Sequence, residues 1–366
     1  MSSSHYTVES ITTEDGIASF QEDWNRLSRT AQFSNVFTTY DWFWAWYQRF
    51  SRKECVGKLR PHVLMLKKHG AVTGISPLIS TTSSRFGISL RRLNFVAHEW
   101  DYNDLVVGDD LEGQTTAVME FLSQTSSEWD VLDFRDLRGA GNAIVHITSA
   151  LANAGLPYRI FSEDQRCPYM PIDSSWSETM KQHSRYTRRV YQRFVQMNRQ
   201  GLKVRIVENP QEELQLLEKL IALEAQKHVG GELSSPFVGK YGDVFRSLFD
   251  TLGPKGWISV VLLELRDRLA AWMLLYRCGN SLWASLTAYD RELSDLAPGT
   301  LLIPTVIDYG FAHGFEEFDF LSGEESYKLR WTSNFRQTYR LLVWNRRRSS
   351  RLRALAYLKL RVRNPL

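Results

Sequence analysis

Ala288-Tyr-Asp-Arg-Glu-Leu-Ser-Asp-Leu-Ala-Pro-Gly-Thr-Leu-Leu302 is the stretch on which the fold turns. A strand pattern ends at Tyr289, a polar loop follows, and Gly299 and Thr300 open an apolar helical pattern that runs to His313. A helix start presents unpaired backbone N–H groups and a partial positive charge, which suits a diphosphate. Glycine lets that backbone come close to a ligand. Pro and Gly also serve turn geometry at ordinary helix starts, so the surrounding chain has to decide.

Upstream, strands are expected at 257–265, 269–277 and 281–289, joined by turns at Arg266-Asp267 and Gly279-Asn280. Before them stand a strongly basic helix over 177–200 and a strand over 202–207. A helix from Asn209-Pro210 to about 227 follows, with Leu214, Leu217, Leu220, Ile221 and Glu224 setting its face, then another helix over about 240–252. Downstream of the central helix, 318–321 reads as a strand and 335–344 as a last one. The first half repeats this order more weakly. A helix carries Ile17, Phe20, Trp24 and Leu27, and a hairpin over 61–67 and 71–79 turns at His69-Gly70. Further strands fall at 90–96, 104–107 and 131–134, and helices at 113–125 and 141–154, with Gly155 where a C-terminal cap belongs. The pattern predicts an α/β (α+β) protein of two tandem lobes, 1–170 and 171–345, and a basic tail over 346–366. Each lobe is expected to be a mixed, mostly antiparallel sheet flanked by helices.

Farther along lies Tyr309-Gly-Phe-Ala-His-Gly-Phe-Glu-Glu-Phe-Asp-Phe-Leu-Ser-Gly-Glu-Glu-Ser-Tyr-Lys328. Taken together, Tyr289, Asp290, Pro298, Gly299, Gly314, Asp319, Phe320, Gly323, Glu324, Tyr327 and Lys328 form an ordered series. It resembles that of the GNAT-superfamily acetyltransferase-like proteins associated with cellulose biosynthesis and their FemAB-type relatives. The resemblance covers roughly 177–344, and Ala297 stands where the family carries Ser. It implies GNAT-like lobes and transfer of an acyl group from acyl-CoA to an amine. The acceptor would be an amino sugar, a sugar nucleotide or a cell-envelope or exopolysaccharide precursor, small or lipid-linked. Ala297, Gly299, Thr300 and Leu301 would bind the acyl-CoA diphosphate. The loop keeps only part of the usual GNAT phosphate signature. An aminoacyl-tRNA donor of the FemAB type therefore stays open, as does a non-catalytic scaffold of polysaccharide assembly.

Acyl transfer to an amine calls for a base and for donors to an oxyanion. Asp319 or Glu324 is the expected base, with Tyr327 protonating the leaving thiolate and Lys328 neutralising a phosphate or carboxylate. Asp319 also reads as a structural cap, and Lys328 as a solvated charge. On the basic helix, Lys181, His183 and Arg185 to Arg199 supply the charge; Arg185, Arg188 and Arg189 would hold an acceptor phosphate through bidentate hydrogen bonds, or else form a solvated face. In the polar loop from His98 to Asp104, Asp101 and Tyr102 are candidate acceptor ligands. No metal-ligand spacing occurs, and none of the cysteines sits in a nucleophile motif. Trp42 and Trp46 read as core rather than as a sugar-stacking platform.

A chain of 366 residues with 43% hydrophobic and 13% aromatic content can bury a large core and is not disordered. Its net charge of +4 is uneven: eight basic residues and no acidic ones lie from Arg346 onward. Without them the chain is net acidic, so a general nucleic-acid surface is not indicated. Leu352, Leu355, Ala356, Leu358 and Val362 punctuate that tail. It reads as a basic amphipathic helix for an anionic membrane surface, a solvated terminal helix, or an aid to tRNA binding. Cys55, Cys167 and Cys278 form no disulfide framework, and neither a secretory signal nor an apolar run of about 18 residues is visible. These features predict a cytoplasmic protein, brought to the membrane's cytoplasmic face if the tail binds lipid.

Overall fold

The computed structural model describes residues 6–30, 35–52, 58–85, 88–96, 102–139, 143–163, 166–173, 185–213, 215–226 and 242–346. The chain forms two compact units, 1–165 with 336–366, and 166–335.

The first unit runs β1 (Thr7–Ile11), α1 (Glu14–Ala18), α2 (Gln21–Thr30), α3 (Tyr40–Arg52), β2 (Lys58–Pro61), β3 (Val63–Lys68), β4 (Ala71–Ser76), β5 (Leu78–Arg85) and β6 (Ile88–Phe95). It continues with β7 (Val107–Gly108), α4 (Leu111–Gln124), β8 (Val131–Arg138), α5 (Ala143–Asn153) and β9 (Tyr158–Ser162). His69 and Gly70 have φ of 52° and 82°, the backbone of a tight hairpin turn between β3 and β4. The single strand expected over 71–79 divides at Pro77, because β4 pairs with β3 whereas β5 pairs with β6 in a second sheet. The strand expected over 104–107 shrinks to β7, and Asp104 is instead held by Asn35 and Arg138 at 2.8 and 2.9 Å. Trp24, Trp42, Trp46 and Trp129 are at most 1% exposed, so the aromatic run of α3 is core. Gly155, φ 61°, closes α5 as expected, with Leu156 N–H donating to Leu151 O at 3.0 Å.

The second unit contains β10 (Cys167–Pro171), α6 (Arg185–Arg199), β11 (Leu202–Val207), α7 (Leu216–Ala225), α8 (Gly242–Leu252), β12 (Ile258–Leu265), β13 (Arg268–Cys278), β14 (Ser281–Tyr289), α9 (Pro298–Ala312), β15 (Glu317–Asp319) and β16 (Phe335–Arg336). Its sheet has the order β11-β12-β13-β14-β15-β10-β16; β11 to β14 are antiparallel, as are β15 and β10, whereas β14 meets β15 in parallel. Arg266 and Asp267 both have positive φ, 53° and 62°, and close the tight β12–β13 hairpin. The continuous helix expected from Asn209 is interrupted: a 3₁₀ turn, Pro210–Glu212, precedes α7, and Gln215 before α7 has φ 66°.

Alternation along β13 sorts the helices onto two faces. Trp272 Nε1 donates to Leu220 O of α7 at 3.1 Å. Its neighbours Ala271 and Met273 pack with Leu302 and Val306 of α9 and Val190 and Met197 of α6. The last strand, β17 (Thr338–Trp344), was expected in the second lobe but lies between β8 and β9 of the first unit. Arg340 fixes it there by a bidentate bond to Asp133 at 2.8 and 2.9 Å. Arg346 caps α5 by donating to Gly155 O and Ala154 O, both at 2.8 Å, and so is not part of a free tail. The rest of that tail, 347–366, lies outside the described residues.

Candidate functional site

β14 organises the site. It pairs with β13 throughout, but the register steps from Ala284↔Leu275 to Leu286↔Leu274, leaving Ser285 as an extra, bulged residue. On its other side it pairs with β15 only through Ser281, Leu282 and Trp283. Beyond Trp283, among the described residues, no strand adjoins that edge of β14. Its main-chain groups there are available to an extended ligand.

β14 leads through a 3₁₀ turn, Arg291–Leu296, into α9, with Ala297 at the hinge in left-handed backbone, φ 49°. No side chain caps α9, and Pro298 fills its first position. A Cβ built on Gly299 would meet only Tyr289, at 3.5 Å, so this glycine contributes open space rather than an unusual backbone angle. Ala297, Gly299 and Thr300 are partly exposed, and Thr300 N–H donates to Ala297 O at 3.0 Å. Leu301, expected among the donor ligands, turns its side chain into the core and is 1% exposed. That leaves its backbone alone for a donor.

Two arginines hold the turn. Asp290 is buried, accepts from Glu292 N–H at 2.9 Å and pairs with Arg268 of β13 at 2.5 Å. Arg268 also reaches Glu292 at 2.7 Å. From the other side, Arg193 of α6 donates to the Asp295 carbonyl. Sequence reasoning counted Arg193 only among the charges of the basic helix and passed over Arg268. A buried Asp directly after a strand, with a basic residue at the start of the adjoining strand, was the available signal.

The segment from the end of β15 onward brings four expected catalytic residues together in the chain but commits most of them to structure. Asp319 is buried, and its Oδ1 accepts from Leu321 N–H at 2.7 Å. This bond fixes Leu321 in left-handed backbone, φ 59°. Lys328 is buried too: its Nζ donates to Ser322 O at 2.6 Å and pairs with Glu325 at 3.0 Å. It is therefore no solvated charge. Glu324 pairs with Arg166, which also lies over the Phe335 ring at 4.2 Å. The Arg166 hydrogen bond holds the Glu324 carboxyl below its ordinary value. Burial, aided by Glu325, pushes the Tyr327 phenol up to about 12. It stays protonated at neutral pH.

On α6, Thr187, Val190 and Met197 are buried, whereas Arg185, Arg188 and Arg189 are exposed and have no ion-pair partner among the described residues. Tyr186 packs edge-on against Trp331 at 6.2 Å. Lys181, His183 and Asp101 lie outside the described residues. Tyr102 is 2% exposed and packs beside Phe37, at 6.4 Å between rings, so its side chain belongs to the core of the first unit. No described helix is long and apolar enough to cross a membrane.

The parted strands and the open helix start define an acyltransferase-type fold. Residues 181–329 match the family model for the acetyltransferase (GNAT) domain. FemX has a similar fold, with TM-score 0.61 at 11% identity over 93% of this chain and 98% of that one. The C-terminal domain of a putative lysylphosphatidylglycerol synthetase from Agrobacterium fabrum gives 0.58 at 13% identity, covering 94% and 96%. L-PGS from Bacillus licheniformis gives 0.53 at 12%, again covering 94% and 96%. No curated protein matches the sequence. Residues 181–329 thus match a GNAT acetyltransferase domain, and the whole chain has a fold similar to that of FemX.

Proposed function

We propose that the protein is an N-acyltransferase that moves an acyl group from acyl-CoA to the amine of an amino sugar, a sugar nucleotide or a cell-envelope or exopolysaccharide precursor. The observation that carries this reading is the parting of β14 from β15 beside the open start of α9. An amide-bearing donor arm can pair with the edge of β14 beyond Trp283, and its diphosphate can take the Gly299 N–H and the Thr300 hydroxyl. The space at Gly299 fits that donor. Arg185, Arg188 and Arg189 take the acceptor's phosphate. In the transfer the neutral amine attacks the acyl carbonyl, the C–N bond forms and the C–S bond breaks. Tyr327, which stays protonated, donates a hydrogen bond to the departing thiolate, and the proton lost by the amine passes through solvent to the sulfur. Asp319 and Lys328 hold the segment that carries Tyr327. A cytoplasmic location fits this donor.

A second reading has an aminoacyl group as the acyl and a lipid-linked acceptor. It is supported by the likeness to the C-terminal domain of a putative lysylphosphatidylglycerol synthetase and by the partial phosphate signature. A transfer assay with labelled acetyl-CoA, longer acyl-CoAs and charged tRNA against amino sugars, UDP-amino sugars and anionic lipid vesicles separates the two. Product from an acyl-CoA and an amino sugar supports the first reading. Product only from charged tRNA, falling steeply with salt, supports the second. No product with any donor contradicts both and leaves the scaffold.

A further inference from the structure

We infer that Arg193 is a positioning residue for the donor, not an acceptor ligand, with Arg268 as its counterpart from the sheet. The inference rests on the proposed reading of the α9 start as the donor site. A non-glycine residue in left-handed backbone persists only where its surroundings over-determine it. Ala297 is such a residue, and the turn before it has short-range bonds of its own, Leu293 N–H to Asp290 O at 3.1 Å and Ala297 N–H to Ser294 O at 2.8 Å. Those bonds shape the turn but do not seat it on the unit. Contacts from outside the turn do: Asp290 N–H donates to Ala270 O at 2.8 Å, Leu296 packs on the core, and two arginines add side-chain ties. Arg268 grips its start through Asp290 and Glu292, and Arg193 grips its end at the Asp295 carbonyl, two residues before Ala297. The direction in which α9 presents its first N–H groups follows from those ties. The Arg193 guanidinium also adds positive charge next to a helix start that already favours anions. One helix thus carries two kinds of arginine: Arg185, Arg188 and Arg189 face solvent, whereas Arg193, one turn beyond Arg189, is spent on the donor turn.

The test uses the full chain, acetyl-CoA titration calorimetry and transfer kinetics. Arg193→Gln is expected to weaken acetyl-CoA binding and raise the donor KM about tenfold, with kcat within about twofold. Arg193→Lys recovers part of the loss, since an ammonium still reaches the carbonyl. Arg268→Gln moves the same parameter, while Arg189→Gln raises the acceptor KM instead. A wild-type donor Kd in Arg193→Gln, or a fall in kcat alone, overturns the inference. Should Arg193→Gln fail to fold by circular dichroism, wild-type donor Kd in both Arg193→Lys and Arg268→Gln overturns it equally. Wild-type protein that binds no acyl-CoA removes the donor-site reading and this inference with it. That outcome differs visibly from a binding wild type with an unaffected Arg193→Gln.

Discussion

Ala297 and Leu321 are both non-glycine residues in left-handed backbone, φ 49° and 59°, and both lie between the end of a β-strand and the element that follows. Around Leu321 the polar side chains are committed to partners within the unit. Asp319 bonds the backbone of the turn, Lys328 caps its carbonyls, and Glu324 is tied to Arg166. Around Ala297 the ties come from neighbouring elements, and the first turn of α9 is left without a side-chain cap. The residue types expected to do chemistry are concentrated in the first place, yet the open hydrogen-bonding capacity is in the second. A carboxylate or a lysine in a motif marks a site only when its bonds are not already committed.

The largest effect that would break this comparison is at Lys328. Lys328→Met leaves the Ser322 carbonyl without its donor and is expected to cost about 2 kcal/mol, read as a lower melting temperature, while acetyl-CoA affinity per folded molecule is kept. Unchanged stability with lost turnover would instead make Lys328 part of the chemistry. Asp319 sharpens the contrast. Asp319→Ala should cost about 1–2 kcal/mol, whereas Asp319→Asn, whose amide oxygen still accepts from Leu321 N–H, should lose less and keep turnover. A base at this position would leave both variants inactive. At the other turn, Gly299→Ala should leave stability within about 0.5 kcal/mol, because its Cβ makes an ordinary 3.5 Å contact with Tyr289. Its signature is a weaker donor Kd.

The smallest effect is electrostatic. The folded-state pKa of Glu324 lies below its unfolded value, so the pair with Arg166 contributes stability fully above the unfolded carboxylate pKa of about 4.3. That contribution is lost as pH falls through the lower folded value. Urea melts of Glu324→Gln from pH 6 to pH 3 should lack this small acid-side slope, and a slope equal to wild type would show the pair to be idle.

Much of the second unit was legible because its punctuation is local. Paired turn residues such as Arg266-Asp267, and Gly and Thr opening an apolar helix, fix strand ends and the start of α9 within a residue or so. What escaped depends on distant partners. Nothing near Thr338 to Trp344 signals that this strand pairs with β8, some two hundred residues earlier, since that depends on Arg340 finding Asp133. Pro77 divides a run that alternation alone reads as one strand. Side-chain roles were the least legible. Leu301, Tyr102 and Lys328 look available in sequence and are buried, and Arg193 looks like its neighbours until its partner is known. Burial and hydrogen-bond partners are tertiary quantities, and periodicity carries only the first of them.

If the start of α9 is the donor site, acetyl-CoA binding depends on the open space at Gly299. Titration of acetyl-CoA into the wild-type chain and into Gly299→Trp, whose indole would fill the space beside Tyr289, tests it most directly. Micromolar binding by the wild type, lost in a variant with an unchanged melting temperature, is the predicted result. Equal binding by both proteins, or binding by neither, would contradict it.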